Sequence, residues 1–89
     1  MFKPLVWKQE KENRFLAIVD LSSGAFRNNI TYHVFLHKGG YWRVLVSGSF
    51  VGLEELERSS TKEEAIEKAE KDYQRNLETL QRALDNLKK

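Results

Sequence analysis

The last third of the chain carries an uninterrupted helical pattern, which restricts the fold more than any other feature of the sequence. No Gly or Pro occurs after residue 59, and the apolar or small residues recur at intervals of three and four. These residues are Ile66, Ala69, Tyr73, Leu77, Leu80, Leu84 and Leu87. Ser60 and Glu63 have the spacing of a capping box. The sequence therefore predicts one long amphipathic helix over 60–88 with Ser60 as its N-cap.

Before this helix, the apolar residues follow a period of two, which is typical of β-strands. Two such runs, 30–37 and 41–47, flank a loop at 38–40 that contains two Gly residues. Residues that face one another across an antiparallel pair point to the same side of the sheet. A three-residue loop pairs Leu36 with Trp42 and so matches apolar side chains, whereas a two-residue loop would set Leu36 against a charged residue. We therefore predict a hairpin with a three-residue loop and a left-handed Gly.

Three further segments complete the predicted sheet. Residues 4–9 and 14–20 are short apolar runs separated by a polar turn, and 50–58 is an edge strand with a bulge. Residues 21–29 carry Ser, Gly and Asn and predict a loop. The expected fold is α+β, with a single domain over 1–89. An antiparallel four- or five-stranded meander over 1–58 would be followed by the long C-terminal helix, packed on one face of the sheet.

The composition excludes several classes of protein. With 40% hydrophobic and 31% charged residues, the chain has the composition of a globular domain. It contains no Cys, which removes disulfides, thiolate metal sites and Cys nucleophiles. The apolar run near its start is too short for a signal peptide or a membrane-spanning helix. We therefore expect a cytoplasmic protein without membrane association.

The polar residues form no recognisable catalytic or metal-binding constellation. His33 and His37 are the two histidines, and on one strand they would lie about 13 Å apart, too far to share a metal ion. The serines occur in loops or at the start of the helix, where turn and cap roles explain them better than nucleophilic catalysis does. The sequence therefore predicts a protein that is not an enzyme and that uses no metal and no cofactor.

Two surfaces are candidates for binding a partner. One is the face of the hairpin that points away from the helix, where aromatic and basic side chains mix as they do on sheets that read nucleic acid. Its candidate residues are His33, Phe35, His37, Lys38, Tyr41 and Arg43. Pairs of an aromatic and a basic side chain on neighbouring strands also occur on exposed sheets simply because they stabilise the pairing of the strands. The other candidate is an acidic patch that a basic groove would complement, made by Glu54, Glu55 and Glu57.

The net charge helps to choose between partners. It is only +2, which is too small to indicate nucleic acid by itself. A protein is therefore the expected partner, and DNA or RNA is the alternative.

The predicted helix is longer than the predicted sheet. A helix over 61–87 measures about 40 Å, whereas a strand of six or seven residues covers about 20 Å. We expect the end of the apolar stripe to pack on another chain, most simply a second copy. The residues of this predicted dimer interface are Leu77, Leu80, Leu84 and Leu87. The alternative is that the amino-terminal segment with Leu5 and Trp7 covers the stripe.

The overall pattern resembles small uncharacterised accessory proteins of bacteriophages and prophages. The resemblance lies in Leu5-Val6-Trp7-Lys8, in Tyr32 and Trp42 on either side of the Gly turn, and in Ser60-x-x-Glu63-Glu64-Ala65 followed by Ala69-Glu70-x-x-Tyr73. It implies an accessory protein of a mobile element, and such proteins with known roles are often inhibitors of host defence, including anti-CRISPR proteins. No functional residue carries over from this resemblance.

Two weaker resemblances point elsewhere. The order of three strands and a helix that opens with Ser60-Thr61-Lys62-Glu63-Glu64-Ala65 is similar to the arm-binding domains of tyrosine-type phage integrases. Those domains lay a sheet in the DNA major groove. The same order is also similar to HicB-type antitoxin domains. The leading expectation remains a non-enzymatic protein that binds and inhibits a host defence complex, such as a CRISPR effector nuclease.

Overall fold

The computed structural model describes residues 5–20, 29–48 and 52–87. Within these ranges the chain forms five antiparallel strands in one sheet, followed by one helix. The elements are β1 (Lys8–Lys11), β2 (Arg14–Asp20), β3 (Asn29–Leu36), β4 (Trp42–Gly48), β5 (Glu54–Glu55) and α1 (Lys62–Leu87). The strands are neighbours in their sequence order, so the sheet is a meander. The predicted α+β fold is therefore confirmed.

The core lies between α1 and one face of the sheet. Alternate strand residues are buried there, as a period of two requires. They are Ala17, Val19, Ile30, Tyr32, Val34, Val44 and Val46. The helix contributes every fourth residue, namely Ala65, Ala69, Tyr73 and Leu77. The two alanines leave room for the first half of the helix to approach the sheet, while the larger side chains fill the core farther along.

The hairpin between β3 and β4 has the predicted register. Leu36 lies opposite Trp42, and the His37 N–H donates a hydrogen bond of 2.8 Å to the Tyr41 carbonyl. Gly40 has a φ of 85°, which lies in the left-handed region that favours glycine. The three-residue loop and its left-handed Gly are therefore confirmed.

The first strand differs from its prediction. Sequence periodicity placed it over 4–9, whereas β1 spans Lys8–Lys11 and the turn shrinks to Glu12 and Asn13. All four residues of β1 are exposed, because the strand forms an edge of the sheet and α1 packs on β3 and β4. Polar residues can therefore continue the ladder without any apolar pattern to reveal it. Residues 1–4 lie outside the described part of the chain.

The segment before the helix contains an edge strand, β5, which has two residues and is shorter than the strand predicted over 50–58. The Leu56 N–H donates to the Val44 carbonyl at 2.9 Å, in register with β5. Farther along, Ser59 and Trp42 exchange two backbone hydrogen bonds. This pairing accommodates one extra residue between Leu56 and Ser59, which is the predicted bulge. Residues 49–51 and the predicted loop residues 21–28 lie outside the described part.

The helix begins one residue later than predicted. The Thr61 Oγ1 accepts a hydrogen bond of 3.2 Å from the Glu64 N–H, which is the contact of an N-cap residue. The Ser60 hydroxyl instead donates to the Glu64 carboxylate at 3.3 Å. The assignment of Ser60 as N-cap is therefore wrong. Because Ser59 is held against Trp42, the chain turns into the helix only after Ser60.

Candidate functional site

The face of the sheet opposite α1 is called the outer face below. Its residues alternate with the buried residues along β2, β3, β4 and β5, and the strand register places them in rows. They are Arg14, Leu16, Ile18, Thr31, His33, Phe35, Arg43, Leu45, Ser47 and Glu55. The predicted candidates His33, Phe35 and Arg43 are among them, and none of the three is buried.

An aromatic ring lies between two arginines on the outer face. Phe35 is paired with Arg14 on β2 and with Arg43 on β4. The two guanidinium carbons lie 5.3 Å and 5.4 Å from the centroid of the ring. Both distances are within cation–π range. The row Arg14-Phe35-Arg43 is therefore held in place by its own contacts across three strands.

Arg43 also joins the two surfaces that the sequence predicts separately. Its Nε donates to Glu55 at 2.8 Å and its second terminal nitrogen donates at 2.6 Å to the other carboxylate oxygen. This bidentate pair is the geometry in which Arg binds carboxylates best. The hydrogen bonds from Arg43 lower the pKa of the Glu55 carboxyl, and those accepted by Glu55 raise the pKa of Arg43. Arg43 therefore contributes little free positive charge to the outer face.

A second cluster of aromatic and cationic side chains lies at the tip of the hairpin. The rings of His37 and Tyr41 are 4.5 Å apart and inclined by 15°, and the Arg58 guanidinium lies 4.4 Å from the Tyr41 ring. The Gly39 N–H donates to His37 Nδ1 at 3.0 Å, which orients the imidazole. Lys38 is exposed beside this stack. Arg58 is a member of this cluster that sequence reasoning missed, because its approach to Tyr41 depends on the bulge before the helix.

Apolar side chains on the outer face were also missed by the sequence prediction. Leu16 and Leu45 flank His33 in one row, and Ile18 in the next row is 63% exposed. The sequence of β2 did indicate these apolar side chains, because it contains an uninterrupted apolar run, Phe15-Leu16-Ala17-Ile18-Val19. Such a run is typical of a strand that presents apolar residues on both faces. The outer face therefore combines apolar, aromatic and cationic groups.

The three predicted acidic residues do not share one surface. Glu55 lies opposite Leu45 and Glu54 opposite the buried Val46, so the two carboxylates point to opposite faces of the sheet. Glu57 lines a groove beside α1. Only Glu55 therefore belongs to the outer face, where it is already paired with Arg43.

The leucines proposed for a dimer interface have different surroundings. Leu77 is 1% exposed and belongs to the core, so its side chain is covered within this chain. Leu80 is half-buried. The side chains of Leu84 and Leu87 lie outside the described part of the structure. The amino-terminal residues Leu5 and Trp7 are partly buried and pack against the core cluster that includes Leu77.

The described residues offer a surface for contact and no metal site. Among them, no group of three or more His, Asp or Glu residues could hold a metal ion. No helix in the described ranges is long and apolar enough to span a membrane. No protein-family model, curated protein or solved structure matches the chain. The outer face presents apolar side chains together with an aromatic ring fixed between two arginines.

Proposed function

We propose that this chain is a non-enzymatic binding module that docks another protein on its outer face. The observation that carries the proposal is Ile18, a large apolar side chain 63% exposed on the face that α1 leaves open. The next row of this face holds the half-buried Leu16 and Leu45, and the row beyond it holds the clamped ring of Phe35. Aromatic and Arg side chains next to apolar ones are the composition of interface hot spots.

The charge of the outer face favours a protein over nucleic acid. A surface that binds DNA or RNA needs cations that are free to contact phosphates. Arg43 is engaged by Glu55 in two hydrogen bonds. The other cations of this face, Lys8, Lys11 and Arg14, lie toward its β1 edge, whereas the row across the middle of the face supplies Leu16, His33 and Leu45. Binding of nucleic acid through His33, Phe35 and Lys38 is therefore the second candidate.

The resemblance to phage accessory proteins supports a more specific form of this proposal. In that form, the chain acts in the cytoplasm of a host cell and occludes a working surface of a defence complex, such as a CRISPR effector nuclease. Steric occlusion needs only a stable docked complex and no catalytic group on the inhibitor. Apolar and aromatic contacts on a rigid sheet provide that stability, because few side chains lose freedom on binding.

The experiment measures how much of this protein is needed to inhibit target-DNA cleavage by purified CRISPR effector complexes of several types. Ile18→Lys replaces the most exposed large apolar side chain of the outer face with a charge and should raise the required amount about tenfold or more. Gln74→Lys adds the same charge at an exposed position of α1 and should inhibit as the wild type does. Both variants should keep the wild-type circular dichroism spectrum.

Two results would overturn the proposal. One is equal inhibition by Ile18→Lys and the wild type, and the other is a failure of the wild type to inhibit any effector complex. Fluorescence anisotropy of labelled DNA and RNA gives the parallel test of the second candidate. Binding of nucleic acid that persists at physiological salt would replace the protein-binding proposal.

We also propose that the end of α1 packs on a second copy of the chain. The helix has 26 residues and is about 39 Å long, while the longest strand, with eight residues, covers about 26 Å. The helix therefore extends past the strands on which it packs. Its last turns carry Leu80, Leu84 and Leu87 at the spacing of a helix–helix contact.

A further inference from the structure

A groove of about 310 Å³ runs between the first half of α1 and the segment that follows β5. It lies away from the outer face, on the side of the sheet that carries the helix. Its walls are formed by Leu56, Glu57, Lys68, Lys71, Asp72 and Arg75. Three of these side chains are cations on one helix, spaced by three and four residues, so they lie along one helical face.

A buried carboxylate at the floor of the groove holds one of these cations. Asp72 is 7% exposed, and its Oδ2 accepts hydrogen bonds from the Tyr32 hydroxyl at 2.8 Å and from Asn76 at 2.9 Å. Its Oδ1 accepts from a terminal nitrogen of Arg75 at 2.5 Å. Burial and the adjacent Asp72 raise the pKa of Tyr32, so the phenol remains a donor. The sheet thus fixes the carboxylate, and the carboxylate fixes Arg75.

The rest of the Arg75 guanidinium is available to a ligand. The Arg75 side chain is 74% exposed, and only one of its terminal nitrogens contacts Asp72. A buried carboxylate is costly to retain in a core, where apolar groups of similar size are often equally stable. In this protein the buried Asp72 carboxylate orients the exposed side chain of Arg75. Guanidinium groups held in this way bind anions with little loss of side-chain freedom.

The two lysines of the groove are positioned differently. Lys68 is half-buried and its Nζ donates to the Arg58 carbonyl at 2.8 Å, which leaves two of its protons for other acceptors. Lys71 pairs with Glu67 at 3.0 Å, but both side chains are largely exposed. Exposed pairs of this kind are weak and exchange readily. Lys71 can therefore turn toward an anion held by Arg75, and Lys68 can donate to the anion from the place where it is held.

We propose that this groove binds a phosphate monoester, with Arg75 as the anchor and Lys68 and Lys71 as flanking cations. The three cationic side chains outnumber the two carboxylates of the lining, Glu57 and Asp72. Together they offer more N–H donors than one carboxylate needs, which suits the three oxygens of a phosphate. The Arg fork matches the oxygens of a phosphate. The volume exceeds that of the anion alone, so the groove also holds part of the molecule that carries it. The phosphate belongs either to a free small molecule or to a phosphorylated side chain.

The test is isothermal titration calorimetry of the full chain with phosphoserine at low salt, with serine as the blank. Arg75→Gln should weaken binding about tenfold or more, the loss typical of a hydrogen-bonded charge. Arg75→Lys keeps the positive charge but loses the planar guanidinium, so it should also weaken the binding of phosphoserine. Arg82→Gln removes an exposed Arg farther along α1 and should bind as the wild type does. Glu57→Gln, which removes the opposing charge, should strengthen binding.

The pH dependence gives an independent readout. The second ionisation of a phosphate monoester has a pKa of about 6, so binding should strengthen as the pH rises from about 5 to about 7. A phosphoserine peptide that binds more tightly than phosphoserine indicates a protein-borne phosphate, and equal affinities indicate a free small molecule. Absence of binding, or an equal loss in Arg82→Gln and Arg75→Gln, would overturn the proposal. None of these results bears on docking at the outer face.

Discussion

Gly40 is the residue at which the hairpin between β3 and β4 reverses direction. Its φ of 85° is one that side chains of L-amino acids rarely adopt. A Cβ added at this position would meet no atom within 4 Å. Any loss of stability on substitution therefore comes from the backbone conformation and not from a steric clash.

We expect Gly40→Ala to lower the free energy of unfolding by about 1 to 2 kcal/mol, the cost of the left-handed region for a residue with a Cβ. The matched control is Gly52→Ala, because Gly52 has equal space around its added Cβ and no left-handed φ. It should change stability by less than about 0.5 kcal/mol. Urea unfolding of both variants checks this. Equal losses in the two variants would contradict the conformational explanation.

Tyr32 makes the stability of the fold sensitive to alkaline pH. Its burial and its hydrogen bond to Asp72 raise its pKa in the folded state, while in the unfolded chain the phenol ionises near pH 10. The stabilising contribution is therefore complete below about pH 10 and is lost as the pH rises toward the folded-state pKa. Above about pH 10, the free energy of unfolding should fall by about 1.4 kcal/mol per pH unit for this residue.

The variant Tyr32→Phe should lack this part of the alkaline loss. It should also be less stable at neutral pH by about 1.5 to 3 kcal/mol, because a buried carboxylate loses a donor. Tyr41→Phe, which changes a tyrosine at the hairpin tip, should retain the loss that Tyr32 causes. Urea unfolding between pH 8 and about 11 measures the slopes. Identical slopes for Tyr32→Phe and the wild type would contradict the assignment.

The pairing of Arg43 with Glu55 shows what the sequence could not predict at the residue scale. Alternation along β3 and β4 places Phe35 and Arg43 on the outer face, and the structure agrees. The partner of Arg43 depends on the register of β5, which has two residues, both Glu. So short a polar strand has no apolar period from which a register could be read.

The start of α1 shows the same limit at the scale of an element. The helix and the burial of Ala69, Tyr73 and Leu77 on its apolar face follow from a long periodic pattern and were predicted correctly. The residue at which the helix begins was predicted wrongly, because Ser60 and Thr61 each have a Glu three positions later and both satisfy the capping pattern. The backbone hydrogen bonds between Ser59 and Trp42 decide between them. That contact joins distant parts of the chain and leaves no local signal.

Substitutions at the two hydroxyl residues should separate their roles. Thr61→Ala removes the N-cap acceptor and should cost about 0.5 to 2 kcal/mol of stability. Ser60→Ala removes a hydroxyl that contacts the Glu64 side chain on the surface and should cost less than about 0.5 kcal/mol. Thermal and urea unfolding give the comparison. A larger loss in Ser60→Ala than in Thr61→Ala would restore Ser60 as the cap.

At the scale of the whole molecule, α1 is longer than the sheet on which it packs. The molecule measures 49 Å along its longest axis and 21 Å along the other two. Tyr73 and Leu77 are the last helix residues in the described core, and α1 continues for ten residues after Leu77. A helix end with leucines at heptad-like spacing is stabilised when it packs against another helix.

The proposed dimer predicts the effect of charges placed on this helix end. The double variant Leu80→Glu and Leu84→Glu should convert a dimer into a monomer, because two carboxylates per chain would be buried without partners. Its helical circular dichroism should be retained, since the core ends at Leu77. Glu78→Lys, an exposed change between the two leucine positions and the core, should leave the dimer intact. Light scattering and sedimentation equilibrium over a wide range of concentration measure the mass. Two results would refute the interface: a wild-type chain that is monomeric at every concentration, and a double variant that remains dimeric. The packing of Leu5 and Trp7 against the core would then account for the covered part of the apolar stripe.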